Sequence, residues 1–233
     1  MVNAVKIGEI LAAAGYPVGA EAEEKFEIYL RYLTECNAKL NLTSIDSSDA
    51  PARHFADSLQ AAEFIPDGAT VLDIGSGAGF PGVPLKIYRN DIKLTALDSI
   101  AKKTSFLRSL SVKLGIDYEV ICARAEELAA GKLRESYSIA VTRAVAELRV
   151  LCEIGLPLIK QGGALICYKG KLSETELDAG ITAAKMCGGK LSDEKRFTLF
   201  GSDRCIVVFE KVFETPPEYP RRYKKIISEP LMF

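Results

Sequence analysis

The spacing of apolar residues divides the chain into a helical opening and an alternating body. Before about residue 66, Phe26, Tyr29, Leu30, Leu33 and Leu40 recur near the helical period, with Glu23, Glu24, Glu27 and Arg31 on other faces. Such a stripe predicts a helix packed against a larger domain. Asn41-Leu42-Thr43-Ser44 breaks the pattern, and Pro51 suits the first turn of a third helix running through Leu59. From Thr70 onward, short apolar runs predict strands over 70–75, 92–98, 118–122, 137–142 and 162–168. Helices are expected between them near 82–89, 101–114, 124–130 and 145–159. That alternation indicates a parallel sheet with crossover helices. Two further runs, Arg196–Phe200 and Arg204–Glu210, flank Gly201-Ser202-Asp203, a loop suited to an antiparallel hairpin. The expected fold is α/β, a mostly parallel sheet with a terminal antiparallel hairpin. The chain then has three parts: a helical extension packed on the core (1–66), a cofactor-binding domain (67–215), and a basic, proline-containing, irregular tail (216–233).

Composition narrows the chemistry. With 48% apolar residues in 233, the chain can bury a sizeable core. Lys and Arg total 30 against 31 Asp and Glu, a net charge of −1, which excludes a strongly basic, nonspecific nucleic-acid binder. Any nucleic-acid surface must be a local patch. The six cysteines form no C-x-x-C pair and His54 is the single histidine, so no metal site is expected, and free thiols suit a reducing cytosol. No apolar run is long enough to span a bilayer, and the N-terminus lacks the pattern of a signal peptide. These features predict a cytoplasmic protein without a membrane partner, and a monomer.

The strongest local signal is Thr70-Val71-Leu72-Asp73-Ile74-Gly75-Ser76-Gly77-Ala78-Gly79-Phe80-Pro81-Gly82, an apolar strand that ends in an acid and enters a glycine-rich turn opening a helix. Glycines let backbone approach a ligand closely, and the helix start adds N–H donors, so a nucleotide-like cofactor is expected here. Gly77 to Gly82 also satisfies G-x-G-x-x-G, which keeps a dinucleotide open, although alone that match is weak. Asp73 stands where it can meet the amino-acid end of a ligand, directly or through water. The next strand delivers Asp98, able to accept from both ribose hydroxyls, or to cap the following helix. Ala125 and Glu126 follow the third strand, placed to flank an adenine. Together these strand-end residues favour S-adenosyl-L-methionine over NAD, in the Rossmann-like layout of class I methyltransferases.

Six segments in order carry a closer likeness: Arg53–Leu59 (RHFADSL), Leu72–Ile87 (LDIGSGAGFPGVPLKI), Leu97–Arg108 (LDS…KKTSFLR), Ala123–Leu128 (ARAEEL), Val141–Leu148 (VTRAVAEL) and Tyr168–Gly170 (YKG). In this spacing the chain resembles the bacterial RsmG (GidB) family, the guanine-N7 methyltransferases of small-subunit ribosomal RNA. The resemblance runs from Asn41 to the proline-rich tail, and the Arg-His-x-x-Asp-Ser-Leu and Thr-Arg-Ala segments are its specific parts. It implies cofactor contacts at Gly75, Phe80, Asp98, Ser99, Ala125, Glu126 and Arg143, with Asp73 and Gly77 added by the turn itself. The tail departs from it. Tyr219-Pro220-Arg221 fits, but Arg222–Ser228 replaces the glycine- and proline-rich run that the resemblance implies.

Guanine N7 has a lone pair and no proton to lose, so the implied reaction needs alignment rather than a general base. Arg143, at the end of the fourth strand, is the candidate catalytic residue, bridging cofactor and target nucleotide. Candidate RNA contacts are Arg53, His54 and Lys169 near the entrance, and the basic clusters Lys102-Lys103 and Arg221-Arg222. Histidine at a helix start is by itself more often a structural donor. The partner implied is small-subunit ribosomal RNA or the ribosomal subunit. Alternatives at this point are a methyltransferase of protein or small molecules, an RNA- or ribosome-binding module without turnover, and, least favoured, an NAD-dependent reductase.

Overall fold

Seven strands hydrogen-bond into one sheet in the order β3-β2-β1-β4-β5-β7-β6. They are β1 (Thr70–Ile74), β2 (Lys93–Asp98), β3 (Glu119–Cys122), β4 (Tyr137–Arg143), β5 (Ile159–Lys169), β6 (Gly189–Leu199) and β7 (Ser202–Lys211). The computed structural model describes residues 6–44 and 46–231. Neighbours from β3 to β5 run parallel, whereas β7 is antiparallel to both β5 and β6. The chain moves outward from β1 to β3, then returns to place β4 beside β1. That reversal opens a crevice at the carboxyl ends of β1 and β4, where ligands of open α/β sheets bind.

Helices α1 (Ile7–Ala13), α2 (Ala20–Leu40), α3 (Asp57–Leu59), α4 (Gly82–Tyr88) and α5 (Ala101–Leu114) contribute to one face, and α6 (Ala125–Ala129), α7 (Leu148–Gly155), α8 (Glu174–Met186) and α9 (Tyr223–Ser228) to the other. The predicted stripe on α2 is inward-facing: Phe26, Tyr29 and Leu33 are buried in the same cluster as Val71, Val83 and Phe106. Helical backbone over Pro51–Ala56 is π-wound and runs into α3, so the predicted third helix exists but is wider than an α-helix at its start.

Three departures from expectation have local causes. No helix was expected between the fifth strand and the hairpin, yet α8 forms there, with Ser173 Oγ accepting from the Glu176 N–H at 3.2 Å. Ser173-Glu174-Thr175-Glu176 has the spacing of a capping box, the signal that was available. The hairpin loop is shorter than Gly201–Asp203: Leu199 pairs with Ser202, and Phe200 (φ 46°) and Gly201 (φ 75°) are left-handed as a type I′ turn requires. The tail is not irregular throughout. Its α9 buries Ile226, and Leu231 beyond it is also buried.

Candidate functional site

The glycine turn is shaped from beneath. Asp73 is fully buried, and its Oδ2 accepts from Ser76 Oγ and from the Gly82 N–H (3.0 Å), while Oδ1 has no partner. Burial pushes the Asp73 carboxyl up to about 6 against the hydrogen bonds that favour its charge. A Cβ on Gly82 would lie 2.7 Å from that carboxylate, so glycine is required for the contact. Above, Tyr29 Oη donates to Ala78 O at 2.5 Å and sits where a Cβ of Gly79 (φ +104°) would be. The helical extension thus braces the turn through Tyr29, and through His54 and Phe55, whose rings pack on Phe80.

A cleft of about 250 Å³ opens at the carboxyl ends of β1 to β4, lined among others by Gly75, Asp98, Ser99, Ala125 and Glu126. Asp98 Oδ2 accepts from Gly77 N–H and Oδ1 from Ile100 N–H, each at 2.9 Å. A carboxylate has roughly four lone-pair sites, so each oxygen keeps capacity for a ribose hydroxyl. Asp98 is not the helix cap of its alternative reading: the N-cap of α5 is Ile100, and the carboxylate accepts from that residue's N–H rather than from the first turn of the helix. Val145 overhangs Gly75, whose Cβ would meet it at 2.6 Å.

Four residues expected at the cofactor are not among those lining this cleft. Asp73 is sealed under the turn and lines neither cavity, Gly77 spends its N–H ordering Asp98, and Phe80 is 5% exposed beneath His54. Arg143 faces a second cavity of about 480 Å³, lined also by Thr43, Arg53, His54, Asp57, Tyr168, Lys169 and Arg204. Ala144 lines both cavities and has φ +56°, an uncommon conformation for a side-chain-bearing residue.

Arg143 is held on several sides. Nη1 donates to Asp57 Oδ2 (2.9 Å) and Arg53 O (3.3 Å), Nη2 to His54 Nδ1 (2.8 Å), and the guanidinium lies 4.9 Å from the Phe80 ring centroid. A guanidinium cannot act as acceptor, so His54 Nδ1 must be the acceptor, leaving Nε2–H to donate to Thr43 Oγ1 at 2.8 Å. The imidazole stacks on Phe80 at 4.1 Å, and burial, with Arg143 and Arg53 nearby, pulls its pKa down to about 3. Buried and with both ring nitrogens engaged inside the protein, His54 holds the Arg143 guanidinium and lines the second cavity beside it.

Two residues outside the predicted set complete this arrangement. Asp57 also accepts from Arg204 Nε at 2.6 Å, so one buried carboxylate joins the start of α3, β4 and β7. The other expected cations divide. Arg53 is exposed on the cavity rim, and Lys102 and Arg222 are exposed away from both cavities. Lys103 lines the first cleft, 3.8 Å from Asp98. Lys169 lines the second cavity but pairs with Glu176 at 2.7 Å. Arg221 is turned inward onto Glu153, a fully buried carboxylate, with Nε and Nη2 each at 2.6 Å. The guanidinium expected to meet RNA phosphate is thus engaged inside the protein by Glu153.

With this geometry in place, comparison with known proteins is decisive. A family described as rRNA small subunit methyltransferase G (GidB) matches residues 22–200. This chain belongs to that family. Ribosomal RNA small subunit methyltransferase G of Lactobacillus acidophilus is 40% identical over 221 residues, covering 91% of this chain and 92% of its own. The protein of the same description from Bacillus subtilis is 40% identical over 219 residues, with 91% and 92% covered. Among solved structures, M. jannaschii TYW2 in complex with AdoMet has a TM-score of 0.57 at 15% identity, covering 68% of this chain and 76% of that one. A methyltransferase from Pyrococcus furiosus has a TM-score of 0.56 at 14% identity, covering 82% and 99%. Those similarities show that this chain has the methyltransferase fold. Among the described residues no helix is long and apolar enough to cross a membrane, and no group of three or more His, Cys, Asp or Glu side chains is placed to hold a metal ion.

Proposed function

We propose that this GidB-family chain transfers the methyl group of S-adenosylmethionine to N7 of a guanine in 16S ribosomal RNA. One observation carries the reading: two cavities of different character meet at Ala144. The first offers the Asp98 carboxylate as acceptor, the backbone at Gly75 and apolar side chains at Ile100 and Val145, a lining suited to ribose hydroxyls and a purine. The second is lined by four cations, Arg53, Arg143, Lys169 and Arg204, against the acid Asp57, which suits a nucleotide with its phosphates.

When bound, the cofactor would be held by Asp98 and the backbone at Gly75 and would supply an electrophilic methyl group for transfer to N7. No proton leaves N7, so no side chain is asked to act as a base. The residues of the chain hold and aim instead. Asp57 and His54 fix the Arg143 guanidinium, whose five N–H donors exceed the three bonds it makes internally, leaving donors for the target nucleotide. Positioning of two reactants is worth up to roughly 7–11 kcal/mol in favourable systems.

The test is methyl transfer from labelled S-adenosylmethionine to undermodified small ribosomal subunits and to their extracted RNA, followed by identification of the modified base. Label on guanine N7 with wild type, and its loss with a folded Arg143→Ala variant, is the expected result. Label on another base or position would overturn the N7 assignment, and full turnover by Arg143→Ala would remove the role given to that residue.

A further inference from the structure

Three large apolar side chains are exposed at the mouth of the first cleft, and they come from three separate segments. Ile100 (42% exposed) follows β2, Val145 (39%) follows β4, and Tyr223 (36%) opens α9 in the tail. Singly exposed apolar residues need no explanation, but several converging on one cavity mark a ligand surface. Among the described residues Tyr223 is also the one aromatic side chain lining this cleft.

Its position is built rather than incidental. The Arg124 guanidinium lies 5.3 Å from the Tyr223 ring centroid, tying the ring to the turn before α6 that also carries Ala125 and Glu126. Ile226, one turn further along α9, is 1% exposed, and Arg221, two residues before Tyr223, is clamped on buried Glu153. Arg134 donates to the carbonyls of Thr215, Pro216 and Tyr219, so the run leading to α9 is fastened as well. The ring therefore loses little freedom when a ligand packs on it. It lies in Arg222–Ser228, the segment where the sequence departs from the run its family resemblance implies.

We propose that Tyr223 forms the outer wall of the adenine subsite, opposing a purine to an aromatic face contributed by the tail. The inference rests on the S-adenosylmethionine reading and adds a binding residue to it. Every base offers a π-face, and stacking on an aromatic side chain contributes measurably for each base bound. Cofactor affinity then depends on docking of the C-terminal tail as well as on the parallel sheet.

Isothermal titration of the full chain with S-adenosylhomocysteine and with 5′-methylthioadenosine, which keeps the base and ribose but lacks the amino-acid end, tests this. Tyr223→Ala should weaken both ligands by the same factor, about tenfold, while Tyr223→Phe stays within about twofold of wild type. Tyr223→Leu, which keeps apolar cover without a ring, should fall with the alanine variant. Unfolding midpoints of the variants should match wild type, because the ring is partly exposed. Unchanged binding by Tyr223→Ala, or weakening of S-adenosylhomocysteine alone, overturns the assignment of Tyr223. Failure of wild type to bind either ligand would instead overturn the cofactor reading, and this assignment with it.

Discussion

At the scale of single residues, the site rests on one carboxylate and one imidazole that do no chemistry. Asp57 holds Arg143 and Arg204 together, so its replacement acts on the second cavity and leaves the first intact. Asp57→Asn should lower methyl transfer at least about tenfold through misplacement of Arg143, with cofactor affinity unchanged. Steady-state rates beside titration calorimetry separate the two, and a parallel loss of cofactor binding would contradict the division between cavities. His54 and Asp73 give opposing pH dependences. The folded pKa of His54, about 3, is below its ordinary value, so the unfolded chain binds more protons and stability falls as pH drops below about 6.5. Asp73, raised to about 6, binds its proton more readily when folded, so it adds stability as pH falls through that range. Between pH 7 and 5 the first effect costs about 2 kcal/mol and the second returns about 1 kcal/mol. His54→Gln removes only the first. Urea unfolding at both pH values should show the variant gaining stability where wild type loses it; parallel slopes would mean His54 titrates normally.

At the scale of elements, the tail is attached by a buried ion pair. Glu153 on α7 is fully buried and bonded to Arg221 through its backbone N–H and two guanidinium nitrogens. Removing one partner leaves a buried charge, so Glu153→Ala should cost about 3–5 kcal/mol, whereas Glu153→Leu with Arg221→Met should be close to neutral. Chemical denaturation of both variants checks this, and a small loss in the single variant would show that water reaches Arg221. The same logic governs Lys211, whose ammonium is bonded to Glu135, Thr215 and two carbonyls, and whose pKa burial lowers. Elements were legible where their signals are local. The strands β1 and β2, the turn between β1 and α4, and α5 follow from apolar runs and glycines within a few neighbours. Helix α8 went unread because its apolar pattern is thin, although the capping residues Ser173 and Glu176 announced it. The π-wound turn over Pro51–Ala56 has no comparable local signal, and its Phe55 packs on Phe26 and Tyr29 from the distant α2.

At the scale of the whole molecule, a net charge of −1 must still present a surface to RNA. The structure concentrates cations around the second cavity and continues them along the next hollow through Lys171 and Arg196. Arg53 is exposed on that rim, whereas Arg221 is consumed internally. Arg53→Ala should therefore reduce the log–log salt slope of RNA binding by about one unit, as expected for one lost phosphate contact. Filter binding across a salt series measures the slope, and an unchanged value would place Arg53 outside the interface. Sequence by itself determined the parallel sheet, the glycine turn and Asp98 at the strand end, because each depends on residues within a turn or strand of one another. The tertiary structure alone decided what the charged residues do. Asp57 meets Arg143 and Arg204 across separations of 86 and 147 residues, and Glu153 meets Arg221 across 68. No local pattern encodes which distant cation faces a buried acid; that follows from strand order, and strand order is settled by burial of the whole core.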